Sequence, residues 1–178
     1  PGSNFDNFAL CTSQSLIPDT GYSTYNGLVN ADSDISDHDG LLSGWALSPK
    51  ARSILLNAVD GNGRPLFVNS VAEGAIDRVL GEPAVFSRGV CKAGVAPVGT
   101  GAGTPAIIGV AGDWTQAMYG IVEGVNVSIS DQATLTVGTT TINLWQRNMF
   151  AVRAEIEVGF RAQTAAFNLL TGATPTGA

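Results

Sequence analysis

The chain has 178 residues, 44% of them apolar and only 13% charged, and its nine Lys and Arg against fifteen Asp and Glu give a formal charge of −6. That length suits one domain, or a domain with a smaller extension. An acidic chain with no run of basic residues interleaved with aromatics excludes sequence-specific nucleic-acid binding.

Globular chains usually carry about 25% charged residues, so much of this surface must be Gly, Ser, Thr, Asn and small apolar side chains. Such a surface suits either burial against neighbours or a β-rich domain with a polar, uncharged skin. Cys11 and Cys91 lie far apart and in no CxxC or Cys/His spacing. They point to neither a disulfide framework nor zinc, and are expected to be reduced cytoplasmic thiols. No stretch reaches the roughly 18 consecutive apolar residues of a membrane span, and the opening Pro1-Gly2-Ser3-Asn4-Phe5 lacks a basic then apolar secretion signal. A soluble, processed or excised piece is the expectation.

The first forty residues are rich in Ser, Asp, Asn and Gly and poor in periodicity. Only Phe5 to Leu10 suggests a helical turn or two, and the remainder reads as loop. Asp32 to Gly40 matches no frame of a calcium loop, which needs oxygen ligands at positions one, three and five, Gly at six and Glu at twelve, so it reads as a solvated acidic turn. Gly44-Trp45-Ala46-Leu47 has the look of a short buried strand. Ser48-Pro49 then supplies an N-cap and a first-turn proline for a helix from about Pro49 to Val59, ended by Asp60-Gly61-Asn62-Gly63.

Further along, Gly81 to Ser87 reads as a turn into a strand with Pro83 at its start. Ala93 to Pro105, with four glycines, reads as a floppy connection. Ala106-Ile107-Ile108-Gly109-Val110-Ala111 is an apolar run suited to the centre of a sheet. Met118 to Ser130 suggests two strand-like runs joined near Glu123-Gly124, the second placing Val125, Val127 and Ile129 inward. A loop holding Gly138 follows, and Ile142 to Met149 reads as helical, with Leu144, Trp145 and Met149 on one face. From Phe150 to Gln163 the period is two: Phe150, Val152, Ala154, Ile156, Val158 and Phe160 share one side, Arg153, Glu155, Glu157 and Arg161 the other. At about 3.3 Å per residue this strand spans on the order of 40 Å, a length that suits a ribbon bridging subunits.

Catalytic patterns are hard to assemble. The single histidine, His38, sits between Asp37 and Asp39 with no G-x-S-x-G motif nearby. Gly99-Thr100-Gly101-Ala102-Gly103 has neither the G-x-G-x-x-G spacing nor a Gly-Lys-Ser/Thr ending, so it reads as a connection and not a phosphate loop. Glu155 and Glu157 could stand as paired carboxylates about 7 Å apart. With Arg153 and Arg161 beside them, charge pairing across strands or subunits is the better reading. Asn126-Val127-Ser128 fits a glycosylation sequon but carries no meaning without a secretion signal. No cofactor or metal is implied.

Three segments in order, Gly44-Trp45-Ala46-Leu47-Ser48-Pro49-Lys50-Ala51-Arg52, Asp60-Gly61-Asn62-Gly63-Arg64-Pro65-Leu66-Phe67 and Val79-Leu80-Gly81-Glu82-Pro83-Ala84-Val85, resemble the middle of tailed-phage (or prophage) major capsid proteins with the Hong Kong 97-type fold. The resemblance continues through Gly112-Asp113-Trp114-Thr115-Gln116-Ala117-Met118-Tyr119-Gly120-Ile121, Ser130-Asp131-Gln132-Ala133 and Asn148-Met149-Phe150-Ala151-Val152-Arg153-Ala154-Glu155, covering about Gly44 to Gly172. It implies an α+β fold: an axial-domain-like region over residues 1–125, then C-terminal strands of a peripheral domain over 126–178. The family's N-terminal arm, extended loop and long helix have no counterpart in this sequence.

The resemblance also implies a role as a structural subunit of an icosahedral head shell, not an enzyme. Its partners would be copies of itself in pentamers and hexamers, with scaffold and portal proteins. The site would be the virion capsid, assembled in the bacterial host cytoplasm, enclosing DNA without reading its sequence; an acidic balance suits a container that must not trap its genome. Assembly contacts are expected at Asn148, Arg153, Glu155, Glu157 and Arg161. In some members an asparagine near the start of the long strand, assisted by a glutamate, forms an isopeptide bond with a neighbour's lysine; Asn148 and Glu155 match those positions. The acceptor lysine would come from the extended loop, leaving only Lys50 and Lys92 here. The residues by themselves read otherwise: Asn148 ends a helix and Glu155 pairs with arginine.

Two alternatives stand beside the phage shell. A nanocompartment shell protein (encapsulin-like) would use the same fold around cargo enzymes. A β-rich hydrolase or carbohydrate-binding domain would gather Trp45, Trp114 and Trp145 in one open cleft.

Overall fold

The computed structural model describes residues 7–18, 23–67, 76–98 and 101–176. They form a mixed α+β chain dominated by strands. Contacts between residues group Met118–Arg161 as one compact unit and the remaining described residues, 7–117 with 162–176, as another. The division therefore falls at two points, 117/118 and 161/162, where sequence reading places one at 125/126.

The larger unit is built on a six-stranded sheet. Its strands are β1 (Thr12–Ser15), β2 (Gly44–Leu47), β3 (Arg78–Val79), β4 (Glu82–Phe86), β5 (Ile107–Gly112) and β10 (Phe167–Thr171), in the order β1-β10-β5-β2-β4-β3. β1 runs parallel to β10 and β2 parallel to β4, while β5 is antiparallel to both its neighbours. The apolar run at Ile107 is thus central, as its composition suggests.

Register explains the two cores. Thr12, Asn168, Ala111, Trp45 and Ala84 form one row across five strands, and Gln14, Leu170, Gly109, Leu47 and Phe86 form another on the same face. That face is covered by two helices, α1 (Thr24–Asp37) and α2 (Pro49–Asn57), whose Leu28, Ala31, Ile35, Ala51 and Leu55 are buried with Trp45, Leu47 and Leu170. Leu169, Val110 and Phe167 point to the other face, where Phe8, Cys11, Val90 and Ala117 pack on them. Burial pushes the Cys11 thiol up to about 11.

Helix α1 corrects the reading of the first forty residues as loop. Ser23 caps it, accepting from the Asn26 amide at 3.2 Å, and Thr24, Leu28, Ala31 and Ile35 bury one stripe. Asp32 to Gly40 is accordingly not a free acidic turn: residues through Asp37 are helical. Asp39 then takes φ 59°, with its amide bonded to the Ser36 carbonyl and the Gly40 amide to that of Ile35. This is a Schellman ending with aspartate in the left-handed position. His38, with Nδ1 at 2.8 Å from the Asp34 carbonyl, is the cap residue itself.

The second helix matches its sequence signals at the start. The buried Ser48 hydroxyl oxygen accepts from the Ala51 amide at 3.2 Å, and Pro49 occupies the first turn. It stops at Asn57, two residues short of the expected Val59, which bridges to Pro65 instead. Ser48→Ala is expected to cost about 1 kcal/mol, read as a lower urea midpoint at unchanged slope.

The two ends of the glycine-rich segment are paired with each other. The Lys92 and Val95 amides and carbonyls pair with those of Ile107 and Thr104 as a narrow antiparallel ladder. A Cβ on Gly94 would lie 2.5 Å from the Thr104 carbonyl oxygen, and one on Gly103 2.6 Å from that of Val95, so close backbone approach accounts for both. Gly99 and Thr100 lie outside the described residues, as does Phe5; the expected turn at Phe5 to Leu10 is a 3-10 helix at Phe8–Leu10.

The smaller unit holds a two-stranded ribbon of β6 (Ala117–Ser130, beginning one residue before the division) and β9 (Ala151–Ala162), and a hairpin of β7 (Thr134–Val137) and β8 (Thr140–Asn143). Sequence reading breaks β6 in two near Gly124; it is one strand of 14 residues. The expected loop around Gly138 is the hairpin's two-residue turn, with Gly138 at φ 63°. The expected helix over Ile142 to Met149 shrinks to a 3-10 turn at Trp145–Arg147, because Thr140–Asn143 is held in the hairpin ladder. Leu144 is buried, while Trp145 and Met149 are exposed.

Candidate functional site

The feature that demands explanation is the ribbon. β6 and β9 contribute 14 and 12 residues. Among the described residues, nothing else joins their sheet. Alternation places Tyr119, Ile121, Val125, Val127 and Ile129, interrupted by Glu123, on one side of β6, and Val152, Ala154, Ile156 and Val158 on one side of β9. The expectation that Val125, Val127 and Ile129 face inward is corrected: they are 63%, 57% and 71% exposed. The pattern is that of a buried strand, yet no layer of the described chain covers it. An isolated two-stranded ribbon is at best marginally stable in water, so this one calls for further protein against it.

The opposite side of β9 carries the charges. Arg153 and Glu155 form an ion pair two residues apart on one side of the strand, both exposed, and the carboxylate beside it raises the guanidinium pKa further above its ordinary value. Glu157 and Arg161 occupy later positions on that side, also exposed. Asn148 precedes the strand, ending the 3-10 turn with φ 51° and ψ 46°, a left-handed conformation that asparagine tolerates. Glu155 lies four residues into β9, about 13 Å along its axis. One chain therefore does not bring Asn148 and Glu155 together.

Sequence reasoning missed two polar networks in the larger unit. Asp113 caps the 3-10 helix Trp114–Gln116: Oδ1 accepts from the Thr115 hydroxyl at 2.6 Å and its amide at 3.0 Å, and Oδ2 from the Gln116 amide group at 3.0 Å. Those donors, the Thr115 hydroxyl foremost, hold the Asp113 carboxyl below its ordinary pKa. A depressed folded value gives stability that is complete above the unfolded pKa of about 3.9 and lost as pH falls through the folded value. Asp113→Asn is expected to flatten that acid limb, as measured by urea unfolding between neutral pH and pH 3. In the second network, Asn168 is buried and donates through Nδ2 to Thr12 Oγ1 at 2.9 Å and to Asp34 Oδ2, tying edge strand β1 and helix α1 to β10.

Trp45 lines no open cleft, so the three tryptophans are not gathered in one. Trp45 is buried, its Nε1 donating to the Val79 carbonyl at 2.9 Å; Trp114 is 36% exposed and bonds the Gly44 carbonyl; Trp145 belongs to the smaller unit. Among the described residues no three His, Cys, Asp or Glu side chains are grouped to hold a metal ion, and no helix is long and apolar enough to cross a membrane.

Solved structures named for phages have a similar fold. The fold matches a chain of Gordonia phage Cozz with a TM-score of 0.72 at 22% identity, covering 97% of this chain and 53% of that one. It matches one of Mycobacterium phage Ogopogo with 0.69 at 18%, covering 97% and 57%, and the capsid of an empty GTA particle computed with C5 symmetry with 0.57 at 15%, covering 92% and 48%. In sequence, the chain is 35% identical over 134 residues to the probable major capsid protein gp17 of Mycobacterium phage D29, and 34% over 133 residues to that of Mycobacterium phage L5. These alignments cover 70% and 69% of this chain but 38% and 37% of the relatives, so the matched stretch is well under half their length. The family model of the Phage capsid family matches residues 13–172, and the chain belongs to that family.

Proposed function

We propose that this chain is part of a structural subunit of an icosahedral phage head. The ribbon carries the reading: two strands of 14 and 12 residues with an apolar alternation left in solvent are shaped to be covered. A closed shell supplies such cover by repeated contact between copies. The finer assignment follows the Hong Kong 97-type arrangement, with the six-stranded unit as the axial domain clustering in pentamers and hexamers and the ribbon unit as strands of the peripheral domain.

Asn148, Arg153, Glu155, Glu157 and Arg161 are the proposed contacts with neighbouring subunits. The virion capsid is the proposed site, filled with DNA that is not read by sequence, and assembled in the host cytoplasm with scaffold and portal proteins. Electron microscopy of the full-length protein produced in bacteria tests this: closed shells are expected, and a protein that stays monomeric with its ribbon uncovered would overturn it. Denaturing electrophoresis of those shells reads out covalent linkage, since monomer-sized bands alone rule out a bond at Asn148.

A further inference from the structure

We propose that Gln132, Asn143, Trp145 and Gln146 form a binding site for a neutral sugar on the smaller unit, a property separate from shell building. These four residues line a shallow, open surface depression of about 360 Å³. Trp145 is 70% exposed, so its indole face is open to a ligand in the depression.

The frame beneath it is fixed. Leu144 is buried and its amide donates to the Ala133 carbonyl at 3.1 Å, while Asn143 Oδ1 accepts from the Gln146 amide at 3.2 Å and Asn143 Nδ2 donates to Thr134 at 3.5 Å. The indole is therefore presented by a held turn. The side-chain carboxamides of Gln132 and Gln146 bond no described residue, so each offers a donor and an acceptor to the concavity.

That combination selects a chemical class. An aromatic face stacks on the C–H face of a pyranose ring, carboxamides match paired hydroxyls with one donor and one acceptor each, and none of the four lining residues carries a charge. None of the lining residues is a cation that would pair with an anionic ligand such as a phosphate. A wholly apolar ligand would leave the carboxamides stripped of water and unpaired.

Saturation-transfer NMR suits this question, because it reads ligand protons against a large particle. Intact particles of the full-length protein would be mixed in turn with glucose, galactose, mannose and N-acetylglucosamine and with their β-linked disaccharides. Transfer to the ring C–H protons of at least one sugar is expected. It should fall by about tenfold or more in Trp145→Ala, the loss of a stacking contact worth one decade of affinity, and survive in Trp145→Tyr. Should Trp145→Ala fail to form particles, the pair Gln132→Ala and Gln146→Ala reads the same site from its polar side. The proposal is overturned if no sugar shows transfer, if transfer persists in the variants, or if a polyproline peptide displaces the sugar. Particle formation by the wild type is scored separately, so a failure here leaves the shell reading standing.

Discussion

Gly112→Ala is expected to destabilise the larger unit by about 3 kcal/mol, near the upper end for forcing an extra carbon into a packed core. The added Cβ would sit 2.1 Å from Cδ1 of Phe167, its register partner on β10. Phe167 has nowhere to go: it is fully buried, with the Phe8 ring at 4.9 Å and the Trp114 ring at 5.3 Å between centroids. Trp114 is itself tied by its Nε1 to the Gly44 carbonyl. For a chain of this size the loss corresponds to a fall of roughly 6–12 °C in melting temperature. Phe167→Leu in the same chain should return part of it, because a smaller side chain vacates the volume that Cβ needs. A double-mutant cycle by calorimetry decides: strict additivity of the two substitutions would refute the clash.

How legible this was in the sequence depends on how local each cause is. Ser48-Pro49 dictates a helix start through its own hydroxyl and ring, and Ile107 to Gly112 advertises burial through composition, so both were readable. The long period-two run ending in β9 was readable for the same reason. Helix α1 was not. Its exposed positions are Tyr25, Val29 and a set of Asn, Ser and Asp, none of them a strong helix former, and stability comes from the stripe Leu28, Ala31 and Ile35 pressed on the sheet. The signal present was Ser23 before that spacing. β10 has five buried residues and no alternation, since it lies between two strands with cover on both faces, and so short a run has no period to detect.

The candidate site was half visible. Alternation marked which ribbon side chains share a side, but which side meets solvent is decided by what packs against it, and a strand of Val and Ile reads as inward by default. Pairing of Glu155 with an arginine is legible, but the sequence points across strands or subunits, whereas Arg153 and Glu155 pair within β9. Asp113 has no role legible in its sequence, because its partners Thr115 and Gln116 reveal their function only when the turn is formed.

Val125→Asp combined with Ile156→Asp is expected to abolish particle formation while leaving the six-stranded unit folded. Both side chains are now in solvent, so in the unassembled chain the change costs little and removes an apolar liability. Covered by other protein, each aliphatic side chain would contribute about 1.5–3 kcal/mol. An unpaired carboxylate in the same place would cost several kcal/mol more for lost hydration. The effect per subunit is repeated at every contact of a closed shell, so even a modest penalty removes the assembled state. Near-UV circular dichroism should be preserved, because Trp45 and Phe167 belong to the unit that the substitutions do not touch. Electron microscopy then gives the answer: particles of normal yield and diameter from the double variant would mean that the ribbon is not a covered surface in the shell, and the assignment of its role would fail with it.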